Sequence, residues 1–372
     1  MLKMKNVFQK GLNDAFSSCT VLVNPTRHPV RASRLIRMLH RMETPRVLVS
    51  ESESDFTNSV RDFLDSDVEH LLIYGGDGTI QRSLNILVPA LMKNDRARFK
   101  SIGFFRGGSG NGYHDSYRIP RTVKRQLETL AESVCSKCAV PVDIMKITQG
   151  SLTRYGQLFG MGFDAEVLKR RNARSVTFGI KKKPKPGLLN YVRSALATFF
   201  SLELDCTRVS DSIHADKYDE GSVRLEIRME KTNPTETFHT RAPMIEIGKR
   251  PFYGNCFKVC PGARPDGGPM ELVLFDFSRK PCIFFSLFPL WMGWHGWVNR
   301  THGKQGTVPL KHFQAYSCTI TSKDPFAFHV DGELISPKNA PKRDYTTTIS
   351  ILPGALSFLV PAKQFASTHS CS

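Results

Sequence analysis

The sequence predicts an α/β unit followed by a mainly antiparallel β unit. Three observations carry this. The chain has 372 residues, about two domains' worth at roughly 100–200 residues each, and 40% of them are hydrophobic, enough for a sizeable core. Up to about Val140, short apolar runs alternate with stretches of helical spacing, the pattern of a parallel sheet with helices on its faces. Beyond it, short β-like runs succeed one another with little helical spacing, the pattern of an antiparallel domain. The composition excludes a disordered chain and a small disulfide-stapled scaffold.

The elements follow in order. Thr20 to Asn24 reads as a buried strand that turns at Pro25, and Val30 to Met42 as a helix through Leu35, Ile36 and Leu39. Arg46 to Val49 is a second strand, and Phe56, Val60, Phe63 and Leu64 form a helical face. His70 to Tyr74 is a third strand running into a glycine-rich turn, followed by a helix through Ile80, Leu84, Leu87 and Leu91. Ser101 to Phe105 is a fourth strand, again ending in glycines. The β-like runs after it are Asp143 to Thr148, Tyr155 to Phe159, Val223 to Met229, Met244 to Gly248, Lys258 to Cys260, Met270 to Phe275 and Cys318 to Thr321, with helical spacing at Leu188 to Leu202. Lys181 to Pro186 and Asp205 to Asp219 read as loops, and the tail after Pro361 as flexible.

Charge is the unusual quantity. Lys and Arg number 52 against 34 Asp and Glu, a formal net charge of +18, which speaks of partners and not of fold. Nucleic acid, an anionic membrane surface and a phosphate-rich ligand all answer to it. Nine cysteines with no framework spacing read as reduced thiols in a cytoplasmic protein, and Cys135/Cys138 find no second pair for a zinc site. No apolar run follows the basic start, so no signal peptide is expected. The most apolar stretch, Cys282 to Trp297, is shorter than the roughly 20 residues of a spanning helix and reads as a core helix, although it holds all three tryptophans, a residue type that favours the membrane interface.

The chemistry concentrates at Gly75-Gly76-Asp77-Gly78-Thr79, directly after an apolar strand. Ligands of parallel sheets bind beyond the carboxyl ends of strands, glycines let the backbone approach closely, and the next helix adds its N-terminal dipole, which together suit phosphate. A carboxylate in such a loop needs a metal ion or a proton, so Asp77 is a candidate catalytic and metal-binding residue. Gly107-Gly108-Ser109-Gly110-Asn111-Gly112, after the neighbouring strand, suits the same purpose, with Ser109 and Asn111 as uncharged hydrogen-bonding groups. No Gly-Lys-Ser/Thr follows either loop, which excludes a Walker-type ATPase.

These residues resemble the superfamily of diacylglycerol kinases, sphingosine kinases and soluble bacterial lipid kinases. The Gly75–Thr79 signature alone is shared with NAD kinases and 6-phosphofructokinases. Asn24-Pro25-Thr26, Ser109-Gly110-Asn111, His329-Val330-Asp331-Gly332-Glu333 and Ile351 to Leu356 with Val360-Pro361 look like the lipid branch, over about residues 20–362. The resemblance implies a phosphofructokinase-like α/β nucleotide domain at 17–142, completed by a returning segment 342–364, and a β-sandwich lipid domain at 143–341. It implies transfer of the ATP γ-phosphoryl group to a lipid hydroxyl with Mg2+, the acceptor being diacylglycerol-like or a sphingoid long-chain base. Asp77, Asp331 and Glu333 are the implied carboxylate set, with the base not apportioned among them. Nucleotide contacts fall on Asn24, Pro25, Thr26, Ser50, Gly75, Gly76, Gly78, Thr79, Gly108, Ser109, Gly110 and Asn111. Asp143 looks like a further acid, on the substrate side, of the bacterial enzymes' aspartate–water–Mg2+ network with Asp77 and Asp331, a strand-start turn residue being the alternative, and Asp266 like the turn where bacterial members hold a structural Mg2+, a plain β-turn being the alternative.

Gly162 to Val167 resembles a substrate-side strand, with Asp164 and Glu166 as acceptor-binding candidates; Leu168 stands where sphingosine kinases place an acid, whereas Gly110-Asn111-Gly112-Tyr113 is closer to the sphingosine kinase form. The partners implied are ATP, a lipid substrate and a peripheral anionic membrane surface, with a homodimer left open. An NAD kinase-like small-molecule kinase and a non-catalytic lipid-binding protein are the alternatives. A nucleic-acid-binding protein is disfavoured, since no reader motif is present.

Overall fold

A computed structural model describes residues 14–93, 100–136, 138–177, 188–201, 223–229, 235–254, 256–277, 279–303, 308–336 and 344–361. The expected loops at Lys181 to Pro186 and Asp205 to Asp219, and the tail after Pro361, lie outside them. The chain divides into two compact units, Met1–Asp143 with Pro353–Ser372, and Ile144–Leu352.

The first unit is the α/β one. Strands β1 (Cys19–Val23), β2 (Val47–Val49), β3 (His70–Gly75) and β4 (Ser101–Arg106) pair in parallel in the order β2-β1-β3-β4. Every side chain of β1 is buried, as a strand covered on both faces requires. Helices α1 (Pro29–Arg41), α2 (Glu53–Asp65), α3 (Asp77–Leu91), α4 (Gly112–Ser116) and α5 (Val123–Cys135) connect or follow them. Proline opens α1, where its missing N–H costs nothing, and Ser52 caps α2 by accepting from the Asp55 N–H. Leu35 and Leu39 of α1 pack with Leu127 and Leu130 of α5 and with Val21, Val23 and Leu72 in one core. The end of strand β16 (Tyr345–Leu359) adds to this sheet, Ser357 and Phe358 pairing in parallel with Ser101 and Ile102.

The second unit is a sandwich. Six strands pair in antiparallel order β12 (Leu310–Ala315), β11 (Met270–Phe275), β10 (Met244–Gly248), β7 (Leu158–Gly162), β14 (Phe328–Val330) and β15 (Glu333–Ile335). Opposite it, β13 (Ser317–Ser322) pairs with the first half of β16 and with β8 (Val223–Arg228), which carries β9 (Glu236–Thr240); β5 (Ala139–Gln149) pairs with β6 (Leu152–Gly156). Met145, Ile147, Phe159, Met161, Leu225, Ile247, Leu272, Ile320, Phe328 and Ile349 meet between the sheets. The chain passes into the first unit only at Pro353 because Tyr345 to Ser350 are engaged on β13.

Four expectations change. Tyr155 to Phe159 is not one strand: β6 and β7 break at Gln157, whose N–H goes to the Asp331 carboxylate at 3.1 Å. Gly162 to Val167 is not a strand: β7 ends at Gly162 and α6 (Phe163–Thr177) starts at the next residue, so Asp164 and Glu166 sit in a first helical turn. Lys258 to Cys260 forms only an isolated bridge, Phe252 to Lys258. Helix α7 (Leu188–Ser201) is present, but the Cys282 to Trp297 stretch forms two helices, α8 (Lys280–Met292) and α9 (His295–His302), and α8 buries only Ser286, Pro289 and Leu290. It is not a core helix.

Candidate active site

The sequence-predicted residues fall into two sets, one in each unit. In the first unit the two glycine-rich loops touch backbone to backbone. A Cβ on Gly108 would lie 2.4 Å from the Gly76 Cα, and one on Gly76 would lie 2.7 Å from the Gly108 Cα, so only glycine permits the approach. The Gly107 N–H donates to the Gly75 carbonyl at 2.8 Å and fixes the pair. Gly76 caps α3 without a side chain to occupy its N–H groups, and Gly78 faces open space, so the positive end of the helix dipole is left for an anion.

Asp77 is the first residue of α3. Its Oδ1 accepts the Tyr113 N–H at 3.0 Å, and its Oδ2 lies 2.9 Å from where a Gly110 Cβ would stand. Asn111 stands in the left-handed region (φ 57°) and closes the second loop on itself, Oδ1 accepting the Gly108 N–H and Nδ2 donating to the Gly108 carbonyl. Ser109 is exposed between them. Asn24, just after β1, donates from Nδ2 to the Thr79 hydroxyl at 3.3 Å, while Thr26 donates to Asn24 Oδ1. Asn24 thus joins the Gly75–Thr79 turn with Thr26 bracing it, and the close approach of Gly76 and Gly108 brings in the second loop. Ser50 is buried and turned to the β1 end, its N–H donating to the Val23 carbonyl, so its backbone is spent on the sheet. Asp143, also buried, accepts the Gly354 N–H at 2.9 Å and thereby holds the returning strand.

His114, not singled out from sequence, sits behind this loop. Burial lowers its pKa to about 4 against the pull of Asp77, so the ring is neutral and its Nε2 bonds the Phe105 carbonyl.

In the second unit, Asp331 and Gly332 are the two loop residues of the β14–β15 hairpin. Both have positive φ, 51° and 84°, the signature of a tight two-residue turn that Asp-Gly favours. Asp331 is buried and fully engaged: Arg250, with no exposure, donates to Oδ1 at 2.9 Å, and the Gln157 N–H reaches Oδ2. Its carboxylate anchors the turn and is not disposed to take a metal ion. Glu333, the next residue but one, is exposed.

Asp164, Glu246 and His329 form a buried cluster that sequence reasoning left without a role for Glu246 and His329. Glu246 and His329 both pair with Gly160 across β7, and the missing Gly160 side chain gives them room to meet. His329 Nε2 lies 2.6 Å from Asp164 Oδ2 and 3.7 Å from Glu246 Oε1, and the Gly332 N–H points to its Nδ1 at 3.3 Å. Burial, first, raises the Glu246 carboxyl to about 7. For His329 burial is the largest single effect and pulls the ring's pKa down, but Asp164 and Glu246 together raise it. The Gly332 N–H faces Nδ1, and while Nδ1 accepts it the ring's proton sits on Nε2, donated to Asp164. One acid between two isoleucines in Met244 to Gly248 was the available sequence signal for this cluster.

Glu166 pairs with Lys169 and Arg170 on the surface of its helix, an ordinary stabilising pattern. Asp266 pairs with Arg264, and the carbonyls of Gly267, Gly268 and Pro269 in the same turn accept from the buried Lys249 ammonium at 2.9–3.4 Å. The lysine supplies the cation that a structural Mg2+ was expected to supply, so the turn does not fit a metal ion.

Residues 18–147 match the family described as the diacylglycerol kinase catalytic domain. Solved structures share the architecture over nearly the whole chain. One, a Bacillus anthracis strain Sterne protein assigned as a diacylglycerol kinase, superposes with a TM-score of 0.62 at 16% identity, covering 92% of this chain and 95% of that one. Another, a diacylglycerol kinase of the same strain, gives 0.57 at 13%, covering 92% and 97%. At these identities the likeness shows the fold. No curated protein matches.

Proposed function

We propose that this chain, whose residues 18–147 match the diacylglycerol kinase catalytic domain family, is an ATP-dependent lipid kinase that phosphorylates the hydroxyl of a diacylglycerol-like or long-chain-base acceptor. The observation that carries the reading is the backbone approach of Gly76 and Gly108, with Asp77 held at the start of α3 by the Tyr113 N–H. Two glycine loops after neighbouring parallel strands, one opening a helix, form an anion cradle. ATP would lie on Gly76, Gly78, Thr79 and Ser109, with Asn24 bracing Thr79.

Mg2+, when bound, neutralises charge that develops on the phosphates. Asp77 fits it best, because one of its oxygens stays clear of the Tyr113 N–H. Asp143 is its proposed partner. Asp331 and Asp266 are engaged by Arg250 and Arg264, so they are not included. Glu333 is the proposed acceptor of the hydroxyl proton: it is exposed beside a turn whose other acid is already paired. Asp331 then acts on catalysis only through the turn it holds.

The test is Glu333→Gln in an assay with labelled ATP and a lipid panel. Turnover should fall far more than nucleotide affinity. Equal loss in both would make Glu333 a binding residue and sink its assigned role.

A further inference from the structure

The exposed apolar surface of the second unit is concentrated on one helical pair. Among the described residues, fifteen large hydrophobic side chains are exposed, and eight of them lie between Phe284 and Trp297. On α8 the buried positions Ser286, Pro289 and Leu290 follow helical spacing, and Leu290 packs in one core with Leu158, Val273 and Leu310. The outer positions should then be polar if water covered them. Instead Phe284, Phe285, Leu287 and Phe288 are 51–68% exposed. Trp291, Trp294 and Trp297, all the tryptophan in the chain, continue the surface at 41–50% exposure. Phe288 and Trp294 meet edge to face, so the surface runs across the bend between α8 and α9. A contiguous exposed patch of this kind marks an interaction site.

We propose that the α8–α9 face is the surface by which this protein lies in the interface of an anionic membrane. Charge selects this occupant. From Arg279 to Gly303 the sequence contains no Asp or Glu, while Arg279 and Lys280 stand at one end and Arg300 at the other. The whole chain carries +18. An apolar, tryptophan-rich face with a cationic rim matches the boundary between anionic headgroups and acyl chains, where tryptophan and phenylalanine partition. At 13 residues, α8 is about 20 Å long and lies along the interface instead of crossing it; no helix among the described residues is long and apolar enough to cross a membrane. The proposal gives the kinase reading its lipid surface, but it stands on its own observation.

The three tryptophans make the chain its own probe. The full-length protein is mixed with phosphatidylcholine vesicles, with and without phosphatidylserine, and vesicle flotation and tryptophan emission are followed. With phosphatidylserine present, the protein should float, its emission should shift to the blue, and brominated acyl chains should quench it. Added salt should weaken the binding. The double variant Phe285→Ser/Phe288→Ser should lose roughly tenfold or more of the partitioning, since two exposed apolar side chains no longer insert. Both residues are exposed, and circular dichroism checks that the fold is kept. Absent flotation overturns the proposal. Flotation without a blue shift, or unaffected by the double substitution, assigns binding to another surface and overturns it as well. A blue shift that grows with protein concentration alone, together with a dimer in sedimentation, makes a second copy the occupant and does the same. Vesicle binding by a protein that phosphorylates no lipid would sink the kinase reading and leave this one standing.

Discussion

His329 separates stability from turnover in a way that two near-isosteric variants can read. Its ring makes two bonds: Nε2–H to Asp164 at 2.6 Å, and Nδ1 from the Gly332 N–H at 3.3 Å. Asparagine places an amide oxygen near the Nδ1 position and ends there. Glutamine reaches the Nε2 position and leaves Nδ1 empty. His329→Asn therefore keeps the grip on the turn that carries Glu333 and abandons Asp164, whereas His329→Gln does the reverse. Losing the Nε2–H leaves the buried Asp164 carboxylate without that donor, which costs more than the about 1–3 kcal/mol of a neutral unpaired group, so the asparagine variant should be the less stable. An unpaired N–H costs about 1–3 kcal/mol, and Gly332 is only half-buried, which puts it near the low end. At about 1.4 kcal/mol per tenfold, the turn's competent population falls roughly fivefold in the glutamine variant. The assay is kcat well below both melting temperatures, with hydrogen exchange over residues 331–333 measured beside it. His329→Asn should turn over about fivefold faster than His329→Gln and keep the turn protected, though it melts earlier. Activity and protection that simply follow melting temperature would refute the reasoning and leave His329 a packing residue.

Two further outcomes follow from the first unit and from the buried histidines. Gly108→Ala forces a methyl group onto the Gly76 backbone at 2.4 Å, so the loops must part; ATP affinity should fall tenfold or more, at about 1–3 kcal/mol of overpacking cost, and unchanged affinity in calorimetric titration would show that the approach does not shape the nucleotide site. Burial lowers both His114 and His295 to about 4, so the unfolded chain takes up protons below about 6.5 that the folded protein refuses. Their contribution is complete above pH 6.5 and drains as pH falls toward 4, at about 1.4 kcal/mol per unit for each ring. Denaturant unfolding at pH 7 and pH 5 should show this fall, and His295→Gln should make it shallower; an equal slope in the variant would count against a buried neutral His295.

The α/β unit was legible because its strands are buried on both faces and its turns are punctuated by glycine. β1, β3 and β4 lie within a residue or two of the apolar runs that suggested them. The two glycine loops could be read as a pair, since their position after neighbouring strands follows from the alternation. The second unit was less legible where one tertiary bond overrules local pattern. Gln157 interrupts an apolar run because its N–H goes to a carboxylate 174 residues away. Asp331 looked like a metal ligand because the partner that occupies it, Arg250, lies 81 positions distant in the chain. Lys249 in place of a structural cation has the same origin: three carbonyls of one turn are satisfied by a side chain from another strand's end. The α8 stretch misled for a different reason. Apolar content announces burial, whereas α8 leaves most of its large apolar side chains exposed.

Asp77→Asn removes the charge on which phosphoryl transfer at the first loop would depend. The substitution keeps size and the acceptor for the Tyr113 N–H. Wild type and variant, matched in melting temperature and in circular dichroism, are given labelled ATP with diacylglycerol, monoacylglycerol, sphingosine, ceramide and phosphatidylglycerol in anionic vesicles. The wild type should label at least one acceptor and the variant none above background. A wild type that labels no lipid, or a variant that labels the same lipid at a similar rate, would contradict the account.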